Sequence, residues 1–388
     1  MVEDESAVRA TGPLAGIRVV ELGGMGPGPF AGMTLADMGA EVIRVERPGG
    51  LGVFPGDPAL DVLNRGKEIV CLDLKRPEAV EAVLSMVKTA DVLTEGNRPG
   101  VVERLGLGPE VCWERNPALV YGRMTGWGQE GPLSQRAGHD VSYIALSGAL
   151  HGIGEAGGPP QIPLNLVGDF GGGATYLVMG VLAALLEART TGHGQVVDAA
   201  IVDGAAHLLA GTHGLMNTGT WRDERGVNML DGGAPYYAVY ETADGRHMAV
   251  GSIEPKFYAL LLEGLGLDLE VNAQHDRSSW PETRRRIAES FASRTRADWT
   301  EVFETTDACV APVLSILEAA EHPHLAERGG VLVDDGFAQP GPAPRFSGHP
   351  RAGFERPHRP GADTRAVLDR LGLDAEALLA TGAAREAL

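Results

Sequence analysis

Ile17-Arg18-Val19-Val20-Glu21-Leu22 is a short apolar run that ends in the glycine-proline stretch Gly26-Pro27-Gly28-Pro29, and Val42-Ile43-Arg44-Val45 repeats its β-branched character. The residues between them, 28–38, read as a helix. This strand–turn–helix–strand unit is the pattern of a parallel pairing, because two parallel neighbours need a crossover element between them. Working outward, 69–72, 92–93 and 119–121 are further strands, and 77–88 is a helix opened by Pro77 in its first turn. An apolar helix follows Gly173 to about 187, then a strand at 196–197 and another helix from 201. Alternation of this kind predicts an α/β fold whose parallel sheet is covered on both faces. Past Gly232 the texture changes. Segments 236–241 and 247–250 flank Thr242-Ala243-Asp244-Gly245, a hairpin turn, and helical patterns follow at 257–264, 282–293 and 298–305. These form a smaller α+β unit. The stretch 337–363 carries Pro340, Pro342, Pro344, Pro350, Pro357 and Pro360, so it is expected to run extended, and a last helix starts near 364.

Composition bounds the function. The chain has 388 residues, and 52 acidic against 33 basic side chains give a formal charge of −19. That field argues against nucleic acid or an anionic membrane as partner, while leaving room for an anionic small ligand held by a few converging cations. A hydrophobic content of 44% excludes a disordered chain. The 54 glycines imply many tight turns and close backbone approaches. Cys71, Cys112 and Cys309 are far apart and form no CxxC pair, which argues against a disulfide framework or a zinc site. The acidic start Met1-Val2-Glu3-Asp4-Glu5 lacks the order of a signal peptide. The longest apolar stretch, 174–186, is shorter than the roughly 20 residues that span a bilayer. A cytoplasmic protein is expected.

Gly26-Pro27-Gly28-Pro29-Phe30-Ala31, with Glu46 downstream, matches the letters of a dinucleotide fingerprint. The chemistry fits less well. Pro27 and Pro29 each remove an amide that should face a pyrophosphate, and Arg47 sits beside the presumed ribose acid. A close-packed turn is the better reading.

Three segments carry candidate chemistry. Gly122-Arg123-Met124-Thr125-Gly126-Trp127-Gly128-Gln129-Glu130-Gly131-Pro132 passes its backbone very near another chain segment or a ligand, and His139 then stands at a helix start. Asn165-Leu166-Val167-Gly168-Asp169-Phe170-Gly171-Gly172-Gly173 precedes the apolar helix. Asp169 is there either a helix N-cap or a carboxylate beside bared amides able to receive developing negative charge. Glu254, held out of helical geometry by Pro255, is either a solvated loop carboxylate or a group projecting from a strand end. No HExxH, Gly-x-Ser-x-Gly or GxxxxGK[ST] motif is present, and His322-Pro323-His324 does not specify a metal.

Taken together, the segments resemble the α-methylacyl-CoA racemase family, within the wider family III CoA-transferase fold. The motifs that carry the resemblance include Gly39-Ala40-Glu41-Val42-Ile43-Arg44-Val45-Glu46-Arg47-Pro48, Asn64-Arg65-Gly66-Lys67, Glu95-Gly96-Asn97-Arg98-Pro99-Gly100, Gly138-His139-Asp140, Val167-Gly168-Asp169-Phe170 and Ile253-Glu254-Pro255, in family order over about residues 12–347. The resemblance implies His139 and Asp169 as catalytic residues, with Glu254 bonded to the histidine. It implies CoA contacts at Arg47, Leu72, Asp73, Leu74, Lys75, Gly96, Asn97, Arg98, Arg104, Gly138, Asp140, Val141, Ser142 and Tyr143. The implied fold has a large Rossmann-like domain (1–199), a linker helix region (200–230), a small α+β domain (231–330) and a return segment (331–388). Two such chains would interlock as a homodimer with shared active sites.

The implied reaction interconverts (2R)- and (2S)-2-methylacyl-CoA thioesters by 1,1-proton transfer through an enolate. Inversion at the α-carbon is served by two bases on opposite sides, and a histidine titrates near neutrality. Arg47, Lys75, Arg98 and Arg104 would meet the phosphates. No metal or redox cofactor is required, since nothing is oxidised. The alternative on the same fold is a CoA-transferase with Asp169 as nucleophile. A nicotinamide-dependent oxidoreductase and a non-catalytic acyl-CoA binder are the other classes.

Overall fold

The computed structural model describes residues 12–50, 56–349 and 356–387. The large unit is built on β1 (Arg18–Leu22), β2 (Glu41–Glu46), β3 (Lys67–Leu72), β4 (Val92–Glu95), β5 (Val120–Thr125) and β6 (Val196–Ala200), all parallel, in spatial order β3-β2-β1-β4-β5-β6. The expected parallel α/β sheet is therefore present. Its order reverses between β1 and β4, and in open sheets of this kind ligands bind outside the carboxyl ends of the strands at such a point.

Strand periodicity explains the two apolar layers. Val20, Ile43, Val70, Leu93 and Tyr121 face helix Pro77–Val87. Val19, Val42, Val92 and Val120 face helices Pro27–Asp37 and Thr175–Thr191. Neighbouring residues point to opposite faces, so a strand buried on both sides is apolar throughout. Fully burying each such side chain stabilises the fold by roughly 1.5–3 kcal/mol.

One group of charges is buried within this sheet. Glu21 accepts from Arg44 and, at 2.7 Å, from Lys67. Arg44 also pairs with Glu46 at 2.8 Å and donates to the Gly24 carbonyl at 2.9 Å, and Lys67 donates to the Pro29 carbonyl at 2.9 Å. Two cations thus hold both ends of the turn after β1. Burial pulls the Lys67 ammonium down to about 8, against the attraction of Glu21.

The smaller unit contains β7 (Tyr237–Glu241), β8 (His247–Gly251) and β9 (Val310–Pro312), all antiparallel. The expected hairpin is the β7–β8 pair, with Gly245 at φ 70° in its turn. Helices Pro255–Leu265, Trp280–Phe291 and Arg296–Phe303 cover it. The proline-rich stretch contributes β11 (Phe337–Pro340), paired with β10 (Val331–Asp334), and its residues 350–355 lie outside the described ones. The chain end has a structural role that the sequence left unassigned. The two-residue strand β12 (Ala384–Arg385) closes the β3 edge antiparallel, and Asp363 and Thr364 accept from the Ile69 and Cys71 amides at 2.7 and 3.0 Å.

By contacts, the large unit holds the described residues of Met1–Ser147, Leu164–Leu208 and Arg328–Leu388, and the small unit Gly148–Pro163 and Leu209–Glu327. The expected linker 200–230 is divided accordingly. Residues 200–208 belong to the large unit, where helix Ile201–Leu208 packs on residues 166–174, and residues 209–230 belong to the small unit.

One expectation fails. The glycine run is not a loop ahead of a helix. Leu166–Ala174 is itself a turn of π-helix continuous with Thr175–Thr191. The whole, Leu166–Thr191, has 26 residues and includes an 18-residue window of mean hydropathy 1.5, long and apolar enough to cross a membrane by length and composition alone. Leu177, Val181, Ala184 and Leu185 of this helix are buried in the core of the large unit.

Candidate active site

The sheet's carboxyl edge collects most of the candidate residues. Arg47 follows β2, residues 72–75 end β3, residues 96–98 follow β4, and 138–143 come after β5. Arg47 is exposed, with its Nε donating to the Gly50 carbonyl at 2.7 Å. Lys75, Arg98 and Arg104 are exposed, the last at the end of helix Val101–Arg104. The Leu72 side chain is fully buried, so only its main chain faces the edge. The Asp73 carboxylate accepts the Lys75 amide at 3.2 Å, and the Asn97 amide donates to Glu95 at 2.6 Å.

His139 occupies the N-cap of helix Asp140–Leu146, as its position in the sequence implied. Its amide donates to Ser142 Oγ at 3.0 Å, and that hydroxyl donates to the His139 carbonyl at 2.7 Å. Ser142 is thus occupied in fixing the helix start, and the imidazole is left exposed.

Gly126 in 122–131 and Gly138 beyond it have a packing explanation. A Cβ on Gly126 would run into the Tyr143 ring, and one on Gly138 would come within 3.0 Å of its hydroxyl. Trp127 meets the same ring edge-on at 4.7 Å. The near neighbour is the chain itself.

Asp169 sits inside the π-helical turn, half-buried, so the N-cap reading is overturned. The reading of bared amides after it is overturned as well, because those amides lie in the body of a continuous helix. The glycines serve another purpose. A Cβ on Gly172 would lie 2.6 Å from the Ala205 nitrogen, and one on Gly173 would lie 2.9 Å from Ile201 Cγ1. They let helix Ile201–Leu208 cross at backbone contact.

The Asp169 carboxylate has defined neighbours. Asn165 Nδ2 donates to its Oδ2 at 3.2 Å, and its amide donates to Asp140 Oδ1 at 2.7 Å. Gly26, in the turn held by the buried ion cluster, approaches so closely that a Cβ there would lie 3.2 Å from Asp169 Oδ2. Phe30 stacks on Phe170 at 4.5 Å and secures that approach. Burial pushes the Asp169 carboxyl up, and the like charge of Asp140 adds to this. The Asn165 bond and the nearby His139 act in the opposite direction. Burial likewise raises Tyr143, with the Asp169 charge reinforcing it and Arg98 opposing. His139, Asp140, Tyr143 and Asp169 therefore share one electrostatic neighbourhood. Asn165 and Gly26 belong to it too, although the sequence had assigned them no role. The spacing of Asn165 to Asp169, four residues on one helical face, was the available signal.

Glu254 lies in the small unit. It is exposed at the N-cap of helix Pro255–Leu265, in extended conformation (φ −77°, ψ 141°), as a residue before proline should be. Among the described residues no group of three or more His, Cys, Asp or Glu is placed to hold a metal.

The model of CoA-transferase family III matches residues 14–364. The chain belongs to that family. Within it, the chain is 47% identical over 369 residues to the mouse (Mus musculus) protein named α-methylacyl-CoA racemase, covering 94% of this chain and 95% of that one. It is 45% identical over 368 residues to the human (Homo sapiens) protein of the same name, covering 94% of each. Among solved structures, a CaiB/BaiF family protein from Brucella suis superposes with a TM-score of 0.80 at 25% identity, over 93% of this chain and 100% of that one.

Proposed function

We infer that this chain is an α-methylacyl-CoA racemase, an isomerase acting on 2-methylacyl-CoA thioesters. The observation that carries the reading is the bond from the Asp169 amide to Asp140 Oδ1 at 2.7 Å, which ties the turn bearing Asp169 to the helix that His139 caps. The 47% identity to a protein of that name supports it.

The proton inventory closes without other reagents. One base takes the α-proton, and the C–H pair moves into the enolate, whose charge falls on the thioester oxygen. The conjugate acid of the second base returns a proton to the opposite face. In the reverse direction the two exchange roles. Asp169 suits this because its environment favours the protonated form more than water does. Arg47, Lys75, Arg98 and Arg104 serve the phosphates, and no change of oxidation state calls for a redox cofactor.

The active site is completed, in this reading, by Glu254 of a second chain, which bonds His139, within an interlocked homodimer. Leu166, Met179 and Leu186 support it, since this core helix leaves them 54–69% exposed. The free cysteines support a cytoplasmic location.

Incubating a (2R)-2-methylacyl-CoA with the protein in D₂O tests the assignment. Loss of optical activity with deuterium entering only at the α-carbon is expected, suppressed in His139→Ala and in Asp169→Ala. An unimpaired double variant overturns it. Trapping of an acyl-Asp169 by hydroxylamine, with acyl exchange between two thioesters, would instead support the transferase.

A further inference from the structure

We propose that Asp140 is a positioning residue that sets Asp169 against His139, in place of the CoA contact its neighbourhood suggested; this rests on the racemase reading. Three observations converge. Asp140 directly follows His139 and is buried, 7% exposed. Its Oδ1 accepts the Asp169 amide at 2.7 Å, and its Oδ2 is buried with no hydrogen-bond partner among the described residues. Gly168 makes room for this carboxylate, since a Cβ there would lie 2.8 Å from Asp140 Cγ and 2.9 Å from Ile144 Cγ2.

The bond has a local cause. Asp169 is among the first residues of the helical segment Leu166–Ala174, and amides in an opening turn have no carbonyl behind them. A π-helical turn extends that deficit by one residue. Asp140 supplies the missing acceptor from another helix. One carboxylate therefore registers the start of the histidine's helix against the turn that presents the aspartate.

Asp140 also acts through its charge, which lies close to that of Asp169 and favours its protonated form. Among the described residues the groups acting on Asp169 are few, and Asp203 and His207 of helix Ile201–Leu208, which packs on the same segment, are not among them. Helix Asp140–Leu146 contributes Asp140, Tyr143 and the capping His139, the turn at Gly26 contributes backbone, and its own segment contributes the uncharged Asn165.

The test compares Asp140→Asn, which keeps an acceptor and loses the charge, with Asp140→Ala, which loses both. Each is assayed beside the wild type for KM, kcat and the pH profile of α-deuterium exchange, with thermal melting as the folding control. For Asp140→Ala, kcat should fall about 100-fold, the cost of a displacement near 1 Å, with KM within about twofold. Asp140→Asn should recover most of kcat, while the limb of the profile belonging to Asp169 moves to lower pH. A raised KM with unchanged kcat and profile overturns the proposal in favour of a CoA contact. Equal losses in both variants with an unmoved profile overturn it in favour of simple folding support. A wild type that exchanges no α-proton overturns the racemase reading and this proposal with it.

Discussion

Gly26 shows how much a single position decides. It adopts φ 65° with ψ −114°, a conformation kept almost entirely for glycine, and its missing Cβ lets the turn lie against Asp169 Oδ2. Its letters matched a nucleotide loop, although a close-packed turn was the better reading, and its place in the fold is beside Asp169. Gly26→Ala is therefore expected to lower kcat for α-proton exchange by more than its modest loss in melting temperature would suggest. Equal kcat in the two proteins would remove Gly26 from the site. Asp169 itself was legible from its glycine-rich surroundings, although for the wrong reason. Those glycines accommodate a crossing helix, and what tunes the carboxylate comes from Asn165, Asp140 and His139.

At the scale of elements, strand β4 ends in a buried acid. Glu95 Oε2 accepts the amide of Asn97, which opens the segment 96–98, and Arg123 Nε lies 3.6 Å from its other oxygen. Burial pushes the Glu95 carboxyl up to about 7, with the Asn97 amide and Arg123 opposing. An acid raised in the folded state binds its proton more tightly there than in the unfolded chain. Its contribution to stability is thus full below the ordinary value of 4.5 and is lost as pH rises toward about 7. Comparing urea midpoints of the wild type and Glu95→Gln across that window should show the wild type losing ground to the variant as pH rises. A constant difference would contradict the raised value. The strands and the hairpin were legible because burial on two faces or one imposes its own periodicity. The π-helical turn was not, because its glycines are individually poor helix formers, disfavoured by about 1 kcal/mol each. Close contact with helix Ile201–Leu208 is available to offset that cost only once the chain has folded.

For the whole molecule, His139 and Asp169 lie in the large unit and Glu254 in the small one. If each site takes Glu254 from the partner, co-expressed His139→Ala and Glu254→Ala chains will form mixed dimers in which one site carries both lesions and the other carries none. Purified mixed dimers are expected to recover about half the wild-type rate, the share of one intact site in a symmetric pair. Activity no higher than that of the two parent variants would place each site within a single chain. By itself the sequence determined the strand order's raw material, the hairpin unit, the capping position of His139 and the extended conformation of Glu254. All of these follow from local periodicity or from the constraint a proline places on its neighbour. Only the tertiary structure decided that Asp140 binds the amide of Asp169 across 29 residues and that Gly26 abuts the same carboxylate. Such contacts join segments whose meeting is set by sheet topology and helix packing, which no local pattern encodes.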